Sequence, residues 1–274
     1  MEIVFISVVS GLATGILLAL TGAGGTLVAV PLLTFILQLR VVEAVPVALL
    51  AVSLSSTVGA LLAHRQGLVR YRAAGFVAVT GMATVPAGVW VAHKLPDTFL
   101  TCLFALVLFA VAVSMFRQEQ ERDGGTGNIA ASGSHATMPC QLAYDGNRLV
   151  WTWPCARALA AAGVISGLLS GLLGVGGGFI VIPVLKRATQ LPMSSILATA
   201  LAIAASISAT GVLSATMMQG LNWSIALPFA AGALMGMLSG RIIAVKLSGP
   251  RLQRVFAVVV VGIAVAMVLR LLLQ

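Results

Sequence analysis

A glycine-rich pattern occurs twice in this chain, and both times it interrupts an apolar stretch. The first copy places Gly11, Gly15, Thr21, Gly22, Gly24, Gly25, Thr26 and Pro31 in order. The second places Gly163, Gly167, Gly174, Gly176, Gly177, Gly178 and Pro183 at an offset of 152 positions. Each glycine inside a helix costs about 1 kcal/mol relative to alanine, so each cluster predicts a helix break. A pattern that returns at a long, fixed offset predicts two structurally similar halves.

The rest of the composition says where such halves can live. Of 274 residues, 59% are hydrophobic and 8% charged, against about 25% charged in soluble domains. Apolar runs at 3–20, 44–63, 73–92, 98–116, 158–173, 195–218, 224–240 and 255–269 mostly approach the roughly 20 residues a spanning helix needs. The expected fold is all-α, a polytopic transmembrane helix bundle with the lipid bilayer as its partner. The net charge of +9 would suggest nucleic acid in a soluble protein. Here no aromatic-basic surface pattern accompanies it, and the Lys and Arg residues sit in loops, where they set membrane orientation; no nucleic-acid partner is expected. Met1 is followed by Glu2 rather than by basic residues, and the first apolar run leads into the duplicated motif, so it does not read as a cleaved signal. Three cysteines, Cys102, Cys140 and Cys155, show no CxxC or Cys/His spacing. An odd count predicts no disulfide framework, no metal site and no cofactor.

The duplication extends beyond the glycines. At the same offset Leu33 meets Leu185, Gln38 meets Gln190, Ser56 meets Ser208, Gly59 meets Gly211, Gly88 meets Gly240, Lys94 meets Lys246 and Phe104 meets Phe256. The expected organisation is a first transmembrane repeat over 1–116, a polar linker over 117–156 and a second repeat over 157–274. Within the linker, residues 141–151 read as two short extended segments around an Asp145–Gly146 turn.

Loop charge orients the halves. Suppose each glycine-broken segment goes in and returns to its starting side. Each half then crosses an odd number of times, and the second is inverted. Of the sixteen Lys and Arg residues, thirteen then fall on one side, leaving Arg40, Lys94 and Arg270 on the other. If the broken segment crosses once, the halves are parallel and the split is eight to eight. Basic loops concentrate in the cytoplasm, so two inverted repeats are expected, with a cytoplasmic linker and both termini outside.

Several residue groups are candidates for chemistry. Unwound backbone at membrane depth is tolerated only where it is buried in protein or lines a watery cavity. New helices should begin near Thr26 and Phe179, aiming free N–H groups and the positive dipole end into that space. Glycine breaks in corresponding places of two halves point to a transporter's binding site. The candidate substrate-binding residues are therefore Gly22, Gly24, Gly25 and Thr26 in one half and Gly174, Gly176, Gly177 and Gly178 in the other. The competing reading is a pair of tight turns that only let helices pack. Ser55, Ser56, Ser208 and Thr210 are candidate secondary donors, since hydroxyls can bind an oxyanion without burying a charge; against this, such hydroxyls often bond within their own helix. The spacings Gly11/Gly15, Gly163/Gly167/Gly171 and Gly232/Gly236/Gly240 read as packing motifs. Arg241 is the best candidate for a cation within the membrane, although its place near a helix end would let it snorkel. His64 and His93 are candidate proton carriers, or else solvated helix ends. Gly22 and Gly24 do not make a dinucleotide fingerprint, because Leu27 occupies the last glycine position. No paired carboxylates or Ser/His/Asp spacing suggests an enzyme.

The duplicated glycines with Pro31 and Pro183, reinforced by Ala48, Ser53, Ala63, His64, Arg65 and Gly67, resemble the sulfite exporter TauE/SafE family of bacterial permeases. The resemblance covers about 230 residues, everything but the linker. It implies a bacterial inner-membrane permease moving a small sulfur-containing anion such as sulfite, sulfoacetate or a related sulfonate, coupled to an ion gradient. It leaves open proton or sodium as the coupling ion, and a homodimer. The alternatives are a permease for another solute, or a membrane scaffold that docks partners through the linker. The chain departs from the pattern where Thr26 stands opposite Gly178, so the two half-sites are not equivalent.

Overall fold

The computed structural model describes residues 2–21, 25–67, 71–123, 141–142, 149–150, 153–188, 192–246, 261–263 and 266–267. In chain order its long helical elements are α1 (Glu2–Thr21), α2 (Gly25–Ile36), α3 (Val41–Arg65), α4 (Tyr71–Lys94), α5 (Asp97–Asp123), α6 (Trp153–Leu173), α7 (Gly178–Ala188), α8 (Met193–Gln219) and α9 (Trp223–Lys246). The bundle is all-α, apart from a small antiparallel pair in the linker: β1 (Gln141–Leu142) and β2 (Leu149–Val150) set Gln141 opposite Val150. That pairing is the one the Asp145–Gly146 turn predicts.

Among the described residues, α1, α3, α4, α6, α8 and α9 are long and apolar enough to cross a membrane. The run at 98–116 lies in α5, whose apolar stretch Asp97–Val111 is shorter. The run at 255–269 falls almost wholly outside the described residues. Ile3, Phe5, Val79, Leu106, Phe109, Leu213 and Met217 are all more than half exposed, as side chains facing lipid would be.

Both predicted breaks are present. α1 stops at Thr21 and α2 starts at Gly25; α6 stops at Leu173 and α7 starts at Gly178. With 12 and 11 residues, α2 and α7 are about 18 and 16 Å long at 1.5 Å per residue. Each reaches only about half-way through a hydrocarbon layer roughly 30 Å thick.

Helix packing follows the duplication. α1 runs along α9, α6 runs along α4, and α3 crosses α8 between them. Exchanging the halves turns the α1–α9 contact into the α6–α4 contact and leaves the α3–α8 contact as itself, which is consistent with two repeats about a pseudo-two-fold axis. The two long seams depend on the glycine spacings. A side chain on Gly11 would strike the Phe229 carbonyl oxygen, and one on Gly15 that of Ala233; Gly232 and Gly236 face the Val8 and Leu12 carbonyls in the same way. On the other seam, Gly167 and Gly171 face the Gly81 and Val85 carbonyls. Backbone meets backbone along both, as small-residue motifs permit in lipid, where apolar burial gives no drive for helices to associate.

The loops sort to two ends. A cavity of about 370 Å³ is lined by Leu39, Glu43, Pro46 and Val47 together with Gly220, Leu221 and Asn222. A second, of about 230 Å³, brings Gln38 and Arg40 beside Asp97, Thr98 and Thr101. These residues form the Arg40 end. At the opposite end Arg241 donates to the Gly59 carbonyl at 3.2 Å and to Oε1 of Gln66 at 3.3 Å. A broken segment that crossed once would have put Gln66 and Arg241 at opposite ends. Their contact is consistent with broken segments that return, and so with inverted repeats.

Cys155, buried near the start of α6, is disulfide-bonded, a single bridge to which the odd cysteine count, which spoke only against a disulfide framework, did not point. An odd count excludes only a fully paired set: Cys102 stays free and exposed on α5.

Candidate functional site

The second break is the better described of the two. Residues 174–178 are buried within protein. Gly174, Gly176 and Gly177 have φ of 71°, 64° and 68°, a left-handed conformation that glycine adopts without a Cβ penalty. The Gly174 N–H donates to the Ser170 carbonyl at 2.8 Å, and the Gly178 N–H to the Gly176 carbonyl at 2.9 Å. Between them, the amide hydrogens of Val175, Gly176 and Gly177 find no acceptor among the described residues. Buried backbone donors are nearly always paired, and successive free amides in a turn form an anion-binding concavity. From α6, the Ser166 hydroxyl donates to the Gly177 carbonyl at 2.8 Å. It thereby holds the strand of the break with its amides turned elsewhere.

The first break supplies the opposite wall. Gly22 and Gly24 lie outside the described residues. Gly25 packs directly on the Leu18 backbone, folding α2 back against α1. Thr21 spans the gap: its hydroxyl donates to the Leu17 carbonyl at 2.6 Å and accepts the Gly25 N–H at 3.1 Å. One residue into α2, Thr26 is fully buried. Its methyl carbon stands 3.3 Å from where a Cβ on Gly176 would be. Ser208 Oγ and Val52 Cγ1 stand 3.0 and 2.7 Å from the same point. The two broken segments therefore meet, with α3 and α8 closing over them.

The hydroxyls divide into two groups. Ser55, Ser56, Ser170 and Ser208 are 0% exposed, and their Oγ atoms have no hydrogen-bond partner among the described residues. Leaving such a group buried and unsatisfied costs about 1–3 kcal/mol, so four of them in one bundle is a large expense for packing alone. Thr210, by contrast, donates to the Ser206 carbonyl of its own helix at 3.1 Å. Two residues from Ser208 is about 200° around the helix, which takes Thr210 away from the face Ser208 uses. Ser166 and Ser170 were not singled out from sequence. They sit one turn apart on α6 among Gly163, Gly167 and Gly171; that i, i+4 spacing beside a predicted break was the available signal.

Elsewhere, His64 and His93 are exposed at helix ends, and His93 Nδ1 lies 2.8 Å from the Val89 carbonyl. Neither cavity at the Arg40 end is lined by a described residue of the breaks.

Comparison with known proteins agrees with this architecture. A protein of Xylella fastidiosa (strain Temecula1) named "Probable membrane transporter protein" is 27% identical over 269 residues, spanning 97% of this chain and 95% of that one. The "Probable membrane transporter protein YunE" of Bacillus subtilis is 24% identical over 263 residues, spanning 93% and 94%. No solved structure matches. The model of the sulfite exporter TauE/SafE family matches residues 7–267. With a buried, twice-broken helical bundle and relatives of equal length named as transporters, this chain is a membrane transporter and belongs to the sulfite exporter TauE/SafE family.

Proposed function

We propose that this transporter is a permease of the bacterial inner membrane that binds a small sulfur-containing oxyanion, sulfite or a sulfonate such as sulfoacetate, between its two helix breaks. The observation that carries this reading is the Ser208 Oγ beside Gly176, without a partner among the described residues, at a turn whose own amides lack acceptors among them too. An oxyanion there would accept from Val175, Gly176 and Gly177, from Ser208, and from the hydroxyls of Ser55, Ser56 and Ser170. Gly25, Thr26 and Gly178, at the starts of α2 and α7, would add the positive ends of two half-length helices. Gly22, Gly24 and Gly174 would give the backbone its approach, while Thr210, bonded within α8 and turned from the Ser208 face, is left out of the site. No buried guanidinium is then needed to hold the charge.

In this reading the repeats are 1–116 and 157–274, joined by the linker 117–156, and rocking of one against the other alternates access. The thirteen-to-three division of basic residues puts the linker and the Arg241 end in the cytoplasm. In that reducing compartment the Cys155 bridge would be open.

Counterflow of labelled sulfite, sulfoacetate and a carboxylate in proteoliposomes tests the substrate. Saturable exchange of the sulfur anions, lost in the Gly24→Leu, Gly177→Leu double variant, supports the proposal. Exchange of the carboxylate alone would identify a permease for a different solute. Wild-type exchange by the double variant would remove the site.

A further inference from the structure

The route from the breaks to the Arg241 end runs along one face of α3. Ser56, Gly59, Ala63 and Gln66 recur at three- and four-residue spacing, so they share a stripe. At Gly59 the stripe is blocked. A Cβ there would meet Met237 Cε at 2.5 Å and Leu201 Cδ1 at 3.2 Å, and Leu18, Leu201 and Met237 form a separate apolar cluster with Ala19 and Ala60. Just past this plug, one turn along α9 from Met237, stands Arg241. It is half-buried, and its two hydrogen bonds go to neutral oxygens, the Gly59 carbonyl and Gln66 Oε1. A guanidinium carries five N–H donors. Among the described residues, Arg241 has no carboxylate partner; the ion pair there is Arg40 with Glu43, at the other end.

The duplication makes this cation one-sided. Arg241 corresponds to Val89, which is 2% exposed and packed. In the plug, Leu18 corresponds to Ser170, Leu201 to Leu49 and Met237 to Val85. Leu49 and Val85 do gather at Gly211, with Cδ1 at 2.8 Å and Cγ1 at 3.5 Å from its would-be Cβ. The barrier toward the Arg40 end thus has Ser170 in place of a leucine and Val89 in place of the arginine, and Arg40 at that end is already paired with Glu43. From this asymmetry we infer that Arg241 is an anion-capture residue: a small oxyanion approaching from the Arg241 end docks on its guanidinium, with Gln66 alongside, before the Leu18–Leu201–Met237 plug parts. The inference rests on the anion-permease reading.

Proteoliposomes sorted by orientation test it with labelled sulfite. Arg241→Gln should raise KM about tenfold for sulfite presented at the Arg241 end, leaving Vmax within about twofold and KM at the Arg40 end unchanged. Arg241→Lys should restore most of the loss. Unchanged KM at both ends, or an equal rise at both that lysine does not rescue, would overturn the assignment. If the wild-type protein moves no sulfite, the substrate reading is what fails, and capture is read directly. A cysteine at Gln66 (Gln66→Cys, with Cys102, Cys140 and Cys155 all replaced by serine) should react several-fold faster with an anionic than with a cationic methanethiosulfonate, and Arg241→Gln should abolish that preference. No preference in the presence of Arg241 would end the proposal.

Discussion

The methyl group of Thr26 lies 3.3 Å from the point where a Cβ on Gly176 would stand, so the helix break of one repeat is sealed by the first turn of the other's half-length helix. Residues 150 positions apart in the chain make one surface. Any side chain at Gly176 intrudes on it, because Val52 Cγ1 and Ser208 Oγ are nearer still. Gly176→Ala should therefore reduce sulfite counterflow at least tenfold. The controls are Gly67→Ala and Gly220→Ala. Both glycines have positive φ but nothing within 4 Å of a new Cβ. Gly67→Ala should lose only the left-handed penalty, about 1–2 kcal/mol, and Gly220→Ala, whose ψ of 179° lies where essentially only glycine goes, about 1–3 kcal/mol, both with transport near wild type.

Ser208 offers a test that separates binding from folding. Its hydroxyl is buried without a partner among the described residues, so Ser208→Ala removes a desolvation penalty and breaks no bond seen there. Thermal unfolding in detergent should occur at the same or a higher temperature. Substrate affinity should fall by about tenfold or more, the value of a hydrogen bond to a charged group. Thr210→Ala, which removes a bond within α8, should change affinity little. If Ser208→Ala lowers stability and leaves affinity intact, the hydroxyl has an unseen structural partner.

The seam between α1 and α9 predicts a different phenotype. Gly15→Leu or Gly236→Leu would drive a side chain into the opposite backbone and should part the helices, seen as a large fall in unfolding temperature with transport lost. Gly75 on α4 has nothing within 4 Å, so Gly75→Ala should raise stability by up to about 1 kcal/mol through helix propensity.

Orientation can be read with an impermeant maleimide on intact cells in a background with Cys102, Cys140 and Cys155 replaced by serine. Asn222→Cys, beside the cavity at the Arg40 end, should label. Gln66→Cys, next to Arg241, should label only after the membrane is opened. The reverse pattern would put the basic loops outside.

Much of this was legible in the sequence, for definable reasons. Glycine clusters break helices whatever surrounds them, so the stops at Thr21 and Leu173 could be placed. The Gly11/Gly15 and Gly232/Gly236 spacings fix a single helix face, and that face proved to be a seam. The hairpin pairing Gln141 with Val150 followed from its turn. Less could be known of the hydroxyls. Spacing says that Ser55, Ser56, Ser208 and Thr210 lie near one depth, but the rotation of each helix against its neighbours decides which oxygen is left alone. Ser170 was hidden for the same cause: within a run of small residues it looks like packing, and only its spacing from Ser166 beside the break and its place opposite Leu18 in the other half mark it out. The bridge at Cys155 needed three-dimensional proximity that cysteine counting cannot supply.

The cross-clasped seams also bear on how the protein is made. α1 finds its glycine-lined mate only in α9, whose first residue, Trp223, lies about two hundred codons beyond Thr21. At about 5–20 residues per second, the ribosome needs roughly ten to forty seconds to deliver it. Throughout that interval the opening helix waits in lipid with its notched side uncovered, and a nascent chain cut off before α9 would be left for the cell's quality control to clear.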